Sequence, residues 1–475
     1  MILPVVQHER SEGILPQPQL SFPLQIIRLF NRQERFEDSD PWSPQKGTRT
    51  VSPPDIWYLI AYDYLVDFPA TVAALSSTSR TFHTLLRPLK FRRVSIRFNT
   101  SLASLKTKSS AQRFAEKIQD ESGIVNHIEV MEIGCHTLGK PYVGVPAVDD
   151  GAPPNARERG TFCTILSQPY PKLKRLALSI FRDSYVFHIP ADVLTALLSV
   201  VSIQTLQEVS FVAATMPPQL FYSLQQIDTL NLRSPYLRAK PSNSVTTTKC
   251  APRTLRIITV ATVRELFPHN SPHLISLERL TTLDIRIDQR SVGVYVPWSF
   301  SSCHSTLINL KIFFDPWHRF NQGSDTLDLG KFTVLKTLTL GFNLSRSSPR
   351  LESTAQQLRL VIDALRTVVE AEQPLKIEFV SILIDNIKSS AGWIEILDGL
   401  PWSHLKTLFS PEYMPLCWSQ LQEVNISVAA KKKNALSSSN RALLEKTLTL
   451  RLANGSTNGL FRVLVHGGTD SVEFD

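Results

Sequence analysis

The chain has 475 residues, of which 43% are hydrophobic and 20% charged; this is the balance of a folded protein with ample core, not of a disordered or collagen-like chain. At ~150 residues per domain, the length suggests about three domains. The formal charge of +9 is a dispersed surplus whose only tight run, Lys431–Lys433, lies in a Ser/Asn-rich stretch without helix-turn-helix, zinc-finger or RNA-motif spacing, so nucleic-acid binding is not expected.

Residues 1–50 are rich in Pro, Gln, Arg and Ser with no sustained period, and read as a low-order segment. Leu20–Phe30 is the one stretch there with the makings of a short amphipathic helix. Organised sequence begins at Ser52. Ser52 with Asp55 three positions on, and Pro53 at the first helical position, is a capping-box pattern. Ile56, Leu59, Ile60 and Tyr64 then recur at helical spacing. Pro69 opens a second short helix carrying Val72 and Leu75. Ser76–Ser79 offer caps for a third, carrying Phe82, Leu85 and Leu86, which Pro88 is expected to stop. Val94, Ile96 and Phe98 alternate with Arg93, Ser95 and Arg97, the mark of a strand fused to the helices without a flexible linker. Three short helices bury too little surface to be stable alone, so this module needs a partner or a neighbouring domain.

The order of residues over 51–98 resembles the F-box, a helical module of cullin-type ubiquitin ligases. Pro54-Asp55-Ile56 corresponds to its opening, Leu59, Ile60 and Leu65 to its middle, and Ser79-Arg80-Thr81-Phe82 to its Ser-Arg-x-aromatic ending. The tail Phe82–Phe91 looks like the ending common in fungal F-box proteins. The chain departs from the pattern at Pro53 in place of Leu, at Asp55 in place of Glu, and at Asp67-Phe68-Pro69 in place of Asp-Leu. The resemblance implies docking to the ligase's adaptor through Pro54, Asp55, Ile56, Leu59, Ile60, Leu65, Val72, Leu75 and Phe82. The alternative is a plain helical cap on the domain that follows.

Beyond this module the chain repeats one phrase: leucine, two variable residues, an aliphatic, one variable residue, an aliphatic. Copies begin at Val125, Leu173, Leu206, Ile227, Leu255, Leu280, Leu307, Leu335, Leu421 and Leu460. Leu375–Phe379 and Thr447–Leu450 are looser strand-like cousins. From Ile227 to Leu335 the copies lie 28, 25, 27 and 28 residues apart, inside the ~20–29-residue period of leucine-rich repeats. The last two aliphatics of each phrase are two residues apart, so both point to one side of a strand, into a core that only stacked neighbours can close. The pattern resembles a degenerate leucine-rich-repeat solenoid; the asparagine expected after the phrase is supplied only by Asn343. Ala191–Val200 and Ala355–Glu370 read as connecting helices. Gly139–Gly160, Ser234–Pro252, Arg346–Ser353 and Ala429–Asn440 read as loops. The expected fold is therefore α/β: a short N-terminal three-helix F-box-like module with a first strand (51–98), then a leucine-rich-repeat-like solenoid with a parallel sheet (99–475).

Nothing in the sequence points to catalysis. There is no G-x-S-x-G, P-loop, G-x-G-x-x-G or H-E-x-x-H, so the chain is not expected to be an enzyme and no cofactor is implied. Cys135, Cys163, Cys250, Cys303 and Cys417 are odd in number and scattered, which argues against a disulfide framework and for a reducing compartment. Cys135-His136 and Cys303-His304 lack the companion residues of a zinc site, so no metal is expected. MILPVVQHERSEG is no signal peptide, and no segment supplies ~18 uninterrupted apolar residues. A cytoplasmic or nuclear protein without membrane contact is expected.

The functional expectation follows from the two resemblances together. The chain reads as the substrate-recognition subunit of an SCF ligase, a monomer within a complex that includes the adaptor, the cullin scaffold and an unknown protein substrate. The alternative is a leucine-rich-repeat scaffold that meets no ligase. Substrate contact is expected on the outward strand positions, chiefly Arg175, Arg233, Asp284, Arg286, Lys311 and Phe313, a polar and mildly basic set suited to a protein surface.

Overall fold

The structure is a computed structural model; it describes residues 68–98, 108–135, 154–180, 191–212, 215–233, 236–237, 249–258, 274–287, 300–314, 327–343, 351–387, 392–430, 437–453 and 460–466. The sequence-predicted segment 1–50 and the first predicted helix lie outside the described residues. The chain divides into two compact units, Met1–Arg93 and Val94–Asp475.

In the first unit, helix α1 (Pro69–Ser76) and helix α2 (Arg80–Arg92) pack on each other. Pro69 stands at the first helical position of α1, where its missing N–H costs nothing. Ser79 caps α2, its hydroxyl accepting from the Phe82 amide at 3.2 Å. The expected stop at Pro88 does not occur, and α2 runs on to Arg92. A proline inside a helix costs ~3 kcal/mol. Leu86 and Leu89, buried on either side of it, offset that cost by roughly 1.5–3 kcal/mol each.

The second unit is α/β and is built on one twelve-stranded sheet. Its strands are β1 (Arg93–Arg97), β2 (Val130–Cys135), β3 (Arg175–Ile180), β4 (Glu208–Val212), β6 (Thr229–Arg233), β8 (Thr254–Ile257), β9 (Thr282–Ile287), β10 (Asn309–Phe314), β11 (Thr337–Asn343), β12 (Phe379–Ile387), β13 (Glu423–Ala430) and β14 (Phe461–His466), in that spatial order. Two short strands, β5 (Thr215–Met216) and β7 (Tyr236–Leu237), form a separate pair. From β2 onward every neighbouring pair in the sheet is parallel.

Sequence neighbours are thus spatial neighbours throughout, and the backbone shows why the strands stay in step. At eight successive junctions, from β2–β3 to β11–β12, two consecutive amides share one carbonyl of the preceding turn. Lys174 and Arg175 donate to Glu129, Gln207 and Glu208 to Lys174, and so on to Glu378 and Phe379, which donate to Lys336, all at 2.8–3.1 Å. Each strand therefore enters the sheet at the same level as its predecessor. The inward pairs stack into one core: Leu176 and Leu178, Leu230 and Leu232, Leu283 and Ile285, Leu338 and Leu340, Val424 and Ile426 are all 0–1% exposed.

The connectors differ with the spacing. Between β9 and β11 the described connectors contain only 3-10 turns, at Ser301–Cys303 and Leu329–Lys331. α-Helices lie in the longer intervals and, as α6, in the short one between β4 and β6: α3 (Ser110–Asp120), α4 (Pro154–Leu166), α5 (Ala191–Val201), α6 (Pro218–Ser223), α7 (Leu351–Val369), α8 (Gly392–Asp398), α9 (Trp402–Leu408), α10 (Met414–Cys417) and α11 (Ser438–Ala453). The expected helices at 191–200 and 355–370 are present. All four expected loops overlap regular elements: α4 begins at Pro154, α7 begins at Leu351, β13 runs on to Ala430 and α11 begins at Ser438, and the short strand β7 lies within 234–252.

Several strand expectations need correction. The phrase begun at Val125 and the phrase begun at Leu255 are each displaced by three residues. Val125 lies in a 3-10 helix, and the inward pair of β2 is Met131 and Ile133, paired with Leu176 and Leu178. In β8 the inward pair is Leu255 and Ile257, paired with Leu283 and Ile285, and the buried Pro252 takes the leading position. Leu375–Phe379 precedes β12, whose inward pair is Val380 and Ile382. Thr447–Leu450 is helical. Leu444, Leu448 and Leu452 share one face of α11 and are 0–1% exposed, so the four-residue period overrides the local alternation. Asn343 closes β11 opposite Asp385 of β12.

Candidate interaction surface

On the other face of the sheet the side chains between the core positions form rows across the strands. Thr229, Thr254, Thr282, Asn309 and Thr337 make one row, in which the Asn309 amide donates to the Thr282 hydroxyl at 3.2 Å. The next row runs Asn231, Arg256, Asp284, Lys311, Thr339 and Ser381. Beyond it Arg286, Phe313 and Gly341 stand side by side. Strands ~4.8 Å apart bring such neighbours into direct reach.

At β9–β11 these rows form a compact cluster. Lys311 Nζ lies 3.4 Å from Asp284 Oδ2. The Arg286 guanidinium sits 5.5 Å, and Lys311 Nζ 5.8 Å, from the centre of the Phe313 ring, both within cation–π range. The ring is only 3% exposed although it stands on the outer face. It achieves this by lying over Gly341, where an added Cβ would meet Phe313 Cζ at 2.6 Å. Burial lowers the Lys311 pKa; Asp284 opposes the shift, while Arg256 and Arg286 add to it. The cations here repel one another and are not fully balanced by the single carboxylate.

Towards the two ends of the sheet, charges on the same face are paired. Arg175 pairs with Glu208 through two bonds, Nε to Oε2 at 2.8 Å and an Nη to Oε1 at 3.1 Å. Asn231 Nδ2 donates to Glu208 and to Ser210, both at 2.9 Å. Arg462 reaches Glu423 at 3.5 Å. At β1–β3 small side chains leave a shallow concavity of ≈ 400 Å³ lined by Ser95, Arg97, Glu132, Gly134, Ala177 and Ser179.

The structure thus brings together four of the six expected substrate-contact residues: Asp284, Arg286, Lys311 and Phe313. Arg233 is exposed at the end of β6, and Arg175 is committed to Glu208. Phe313 is a buried prop beneath two cations and not an open contact. Sequence reasoning missed Arg256, because the displaced register placed it in a turn. A signal for it was present: Thr254-Leu255-Arg256-Ile257 copies Thr282-Leu283-Asp284-Ile285, with an outward Thr before each inward Leu.

Of the residues expected to meet an adaptor, Pro54, Asp55, Ile56, Leu59, Ile60 and Leu65 lie outside the described residues. Val72 and Leu75 are 2% and 1% exposed, and Phe82 is partly buried.

No protein-family model matches the chain, and no curated protein matches it in sequence.

Among the described residues no group of three or more His, Cys, Asp or Glu is placed to hold a metal, and no helix is long and apolar enough to cross a membrane. Cys250 and Cys303 are fully buried, and desolvation pushes both thiols up to about 12. The outer face presents guanidinium groups, of which that of Arg286 stands over the Phe313 ring.

Proposed function

We propose that the chain is the F-box-type substrate-recognition subunit of an SCF ubiquitin ligase. In this reading residues 51–92 form the adaptor-binding module, the region from β1 onward is a leucine-rich-repeat-like solenoid, and the outer face of its sheet holds a protein substrate. The observation that carries the reading is the junction at Ser79. The serine of the F-box-like ending caps α2 through the Phe82 amide, and α2 ends at Arg92 with β1 starting at Arg93. A substrate receptor brings its bound target to the ubiquitin carrier. Its contribution is proximity, raising the effective concentration of the target lysine, and it supplies no catalytic residue of its own.

The rival reading is a repeat scaffold whose helices are only an end cap; the burial of Val72 and Leu75, which leaves neither side chain open to an adaptor, favours it. Co-expression of the full chain with the SCF adaptor, followed by affinity capture and size-exclusion chromatography, separates the two. A stoichiometric complex supports the receptor. A folded chain that elutes alone supports the scaffold.

A further inference from the structure

We infer that the outer face of β6, β8 and β9 is a binding site for a phosphorylated side chain of an extended partner peptide, gripped by Arg233, Arg256 and Arg286. Where the partner is a ligase substrate, this rests on the receptor reading above; the binding chemistry itself does not.

The argument begins with charge matching inside the molecule. Arg175 and Arg462 on this face each have a carboxylate within reach, Glu208 and Glu423. Just before the strands, Lys174 pairs with Glu129 at 3.1 Å and Lys336 with Glu378 at 2.8 Å. Arg233, Arg256 and Arg286 break the pattern. They lie on three successive strands of the sheet, and none has an ion-pair partner among the described residues. The nearest carboxylate in the rows is Asp284, which is engaged by Lys311. Burial is the main cause of the lowered Lys311 pKa, and Arg256 and Arg286, within diagonal reach of each other across the strands, add a smaller repulsion. An anion placed here would remove it.

The geometry then selects the anion. Arg286 is held over the Phe313 ring, and that ring is held in turn by the bare backbone of Gly341. A guanidinium fixed in this way loses little entropy on binding, and its fork matches phosphate or carboxylate oxygens. A carboxylate neutralises one cation and leaves the neighbouring arginines repelling. A phosphomonoester carries about −1.5 to −2 charge near neutral pH and three acceptor oxygens, enough to engage two forks at once. A polyanion such as a nucleic-acid backbone or an anionic vesicle needs a long basic track. Among the described residues this face has none, because Glu132, Glu208 and Glu423 stand in the flanking outer positions. The occupant is therefore a segment with a single phosphate, extended so that it follows the sheet.

The test uses the purified full chain and a degenerate peptide library with one fixed phosphoserine. Matched libraries carry Ser or Glu at that position, and heparin and phosphatidylserine vesicles serve as polyanion controls. Retention is expected on the phosphoserine library alone and should fall as salt rises. Removing one charged hydrogen-bonding partner costs on the order of tenfold in affinity, so R256E/R286E should lose at least that much. R256K/R286K keeps the charge but not the forks and should bind at an intermediate level. Both pairs are outward-facing, so unchanged thermal melts are expected to accompany the loss. Equal retention on the Glu library, preference for heparin or vesicles, undiminished binding by R256E/R286E, or no retention at all would overturn the site. Adaptor capture of the same variants reports on the receptor reading separately, since phosphopeptide binding without adaptor binding sinks that reading and leaves this site standing.

Discussion

Gly341 of β11 faces Phe313 of β10 so closely that a Cβ on the glycine would stand 2.6 Å from the ring. The contact lets an aromatic side chain lie flat on the outer face, 3% exposed, and turns it into a support for Arg286 and Lys311. It also gives a glycine in the middle of a strand a reason to be there.

Gly341→Ala weighs two opposing effects. In a strand the change should stabilise by roughly 0.5–1 kcal/mol, through lower unfolded-state entropy. The clash with a buried ring should cost about 1–3 kcal/mol. The clash is expected to win, giving net destabilisation in urea melts. In a Phe313→Ala background the same substitution should become neutral or stabilising, a coupling of at least ~1 kcal/mol. Additive effects of the two changes would show that the ring does not rest on the glycine.

The register of β8 is open to a paired test. Ile257 is fully buried and Arg256 exposed. Ile257→Asp places a charge in the shared core and should cost more than ~4 kcal/mol, enough to abolish the cooperative melt. Arg256→Asp should change stability by no more than about 0.5 kcal/mol. The reverse ranking would restore the register that begins a phrase at Leu255.

Cys250 and Cys303 predict a specific alkaline weakness. Their thiols are raised from 9.0 to about 12 in the folded chain. A raised folded pKa contributes stability that is fully present below the unfolded value and is lost as pH rises towards the folded one. Stability should therefore be independent of these thiols below pH ~9 and decline above it. The loss is about 2 kcal/mol per thiol at about pH 10.5. Urea melts of wild type and of Cys250→Ala/Cys303→Ala, compared as slopes against pH, isolate the effect. Equal slopes would mean the thiols already ionise in the folded chain. A thiol reagent at pH 8 should likewise leave both residues unmodified until the chain unfolds.

The adaptor module makes its own prediction. Ile56→Asp or Leu59→Asp should abolish co-purification with the adaptor while the sheet domain melts as before. Burying a charge in a desolvated contact costs on the order of 3 kcal/mol, more than a hundredfold in affinity. Normal adaptor capture by both variants would end the F-box reading. Loss of the folded state would favour the end-cap reading.

Much of the architecture is written in local pattern. Eight of the ten repeat phrases sit on strands in the register that their leucines indicate, such as Leu280-x-x-Leu283-x-Ile285 and Leu421-x-x-Val424-x-Ile426. Pro69 and Ser79 also mark the helix starts observed. These are short-range effects: a two-residue side-chain period, a missing N–H, a hydroxyl beside an amide.

Tertiary structure decided what competing local signals left open. Val125-x-x-Ile128 and Leu255-x-x-Ile258 fit the phrase as well as their neighbours do, and only pairing with Leu176 and with Leu283 shows that each is displaced by three residues. Pro88 lies inside α2 and Leu448 inside α11 because burial outweighs a local break and a local alternation. The unmatched arginines could be seen only once the strands were aligned. Arg233, Arg256 and Arg286 are far apart in sequence, and whether a charge is balanced depends on what the neighbouring strand places beside it.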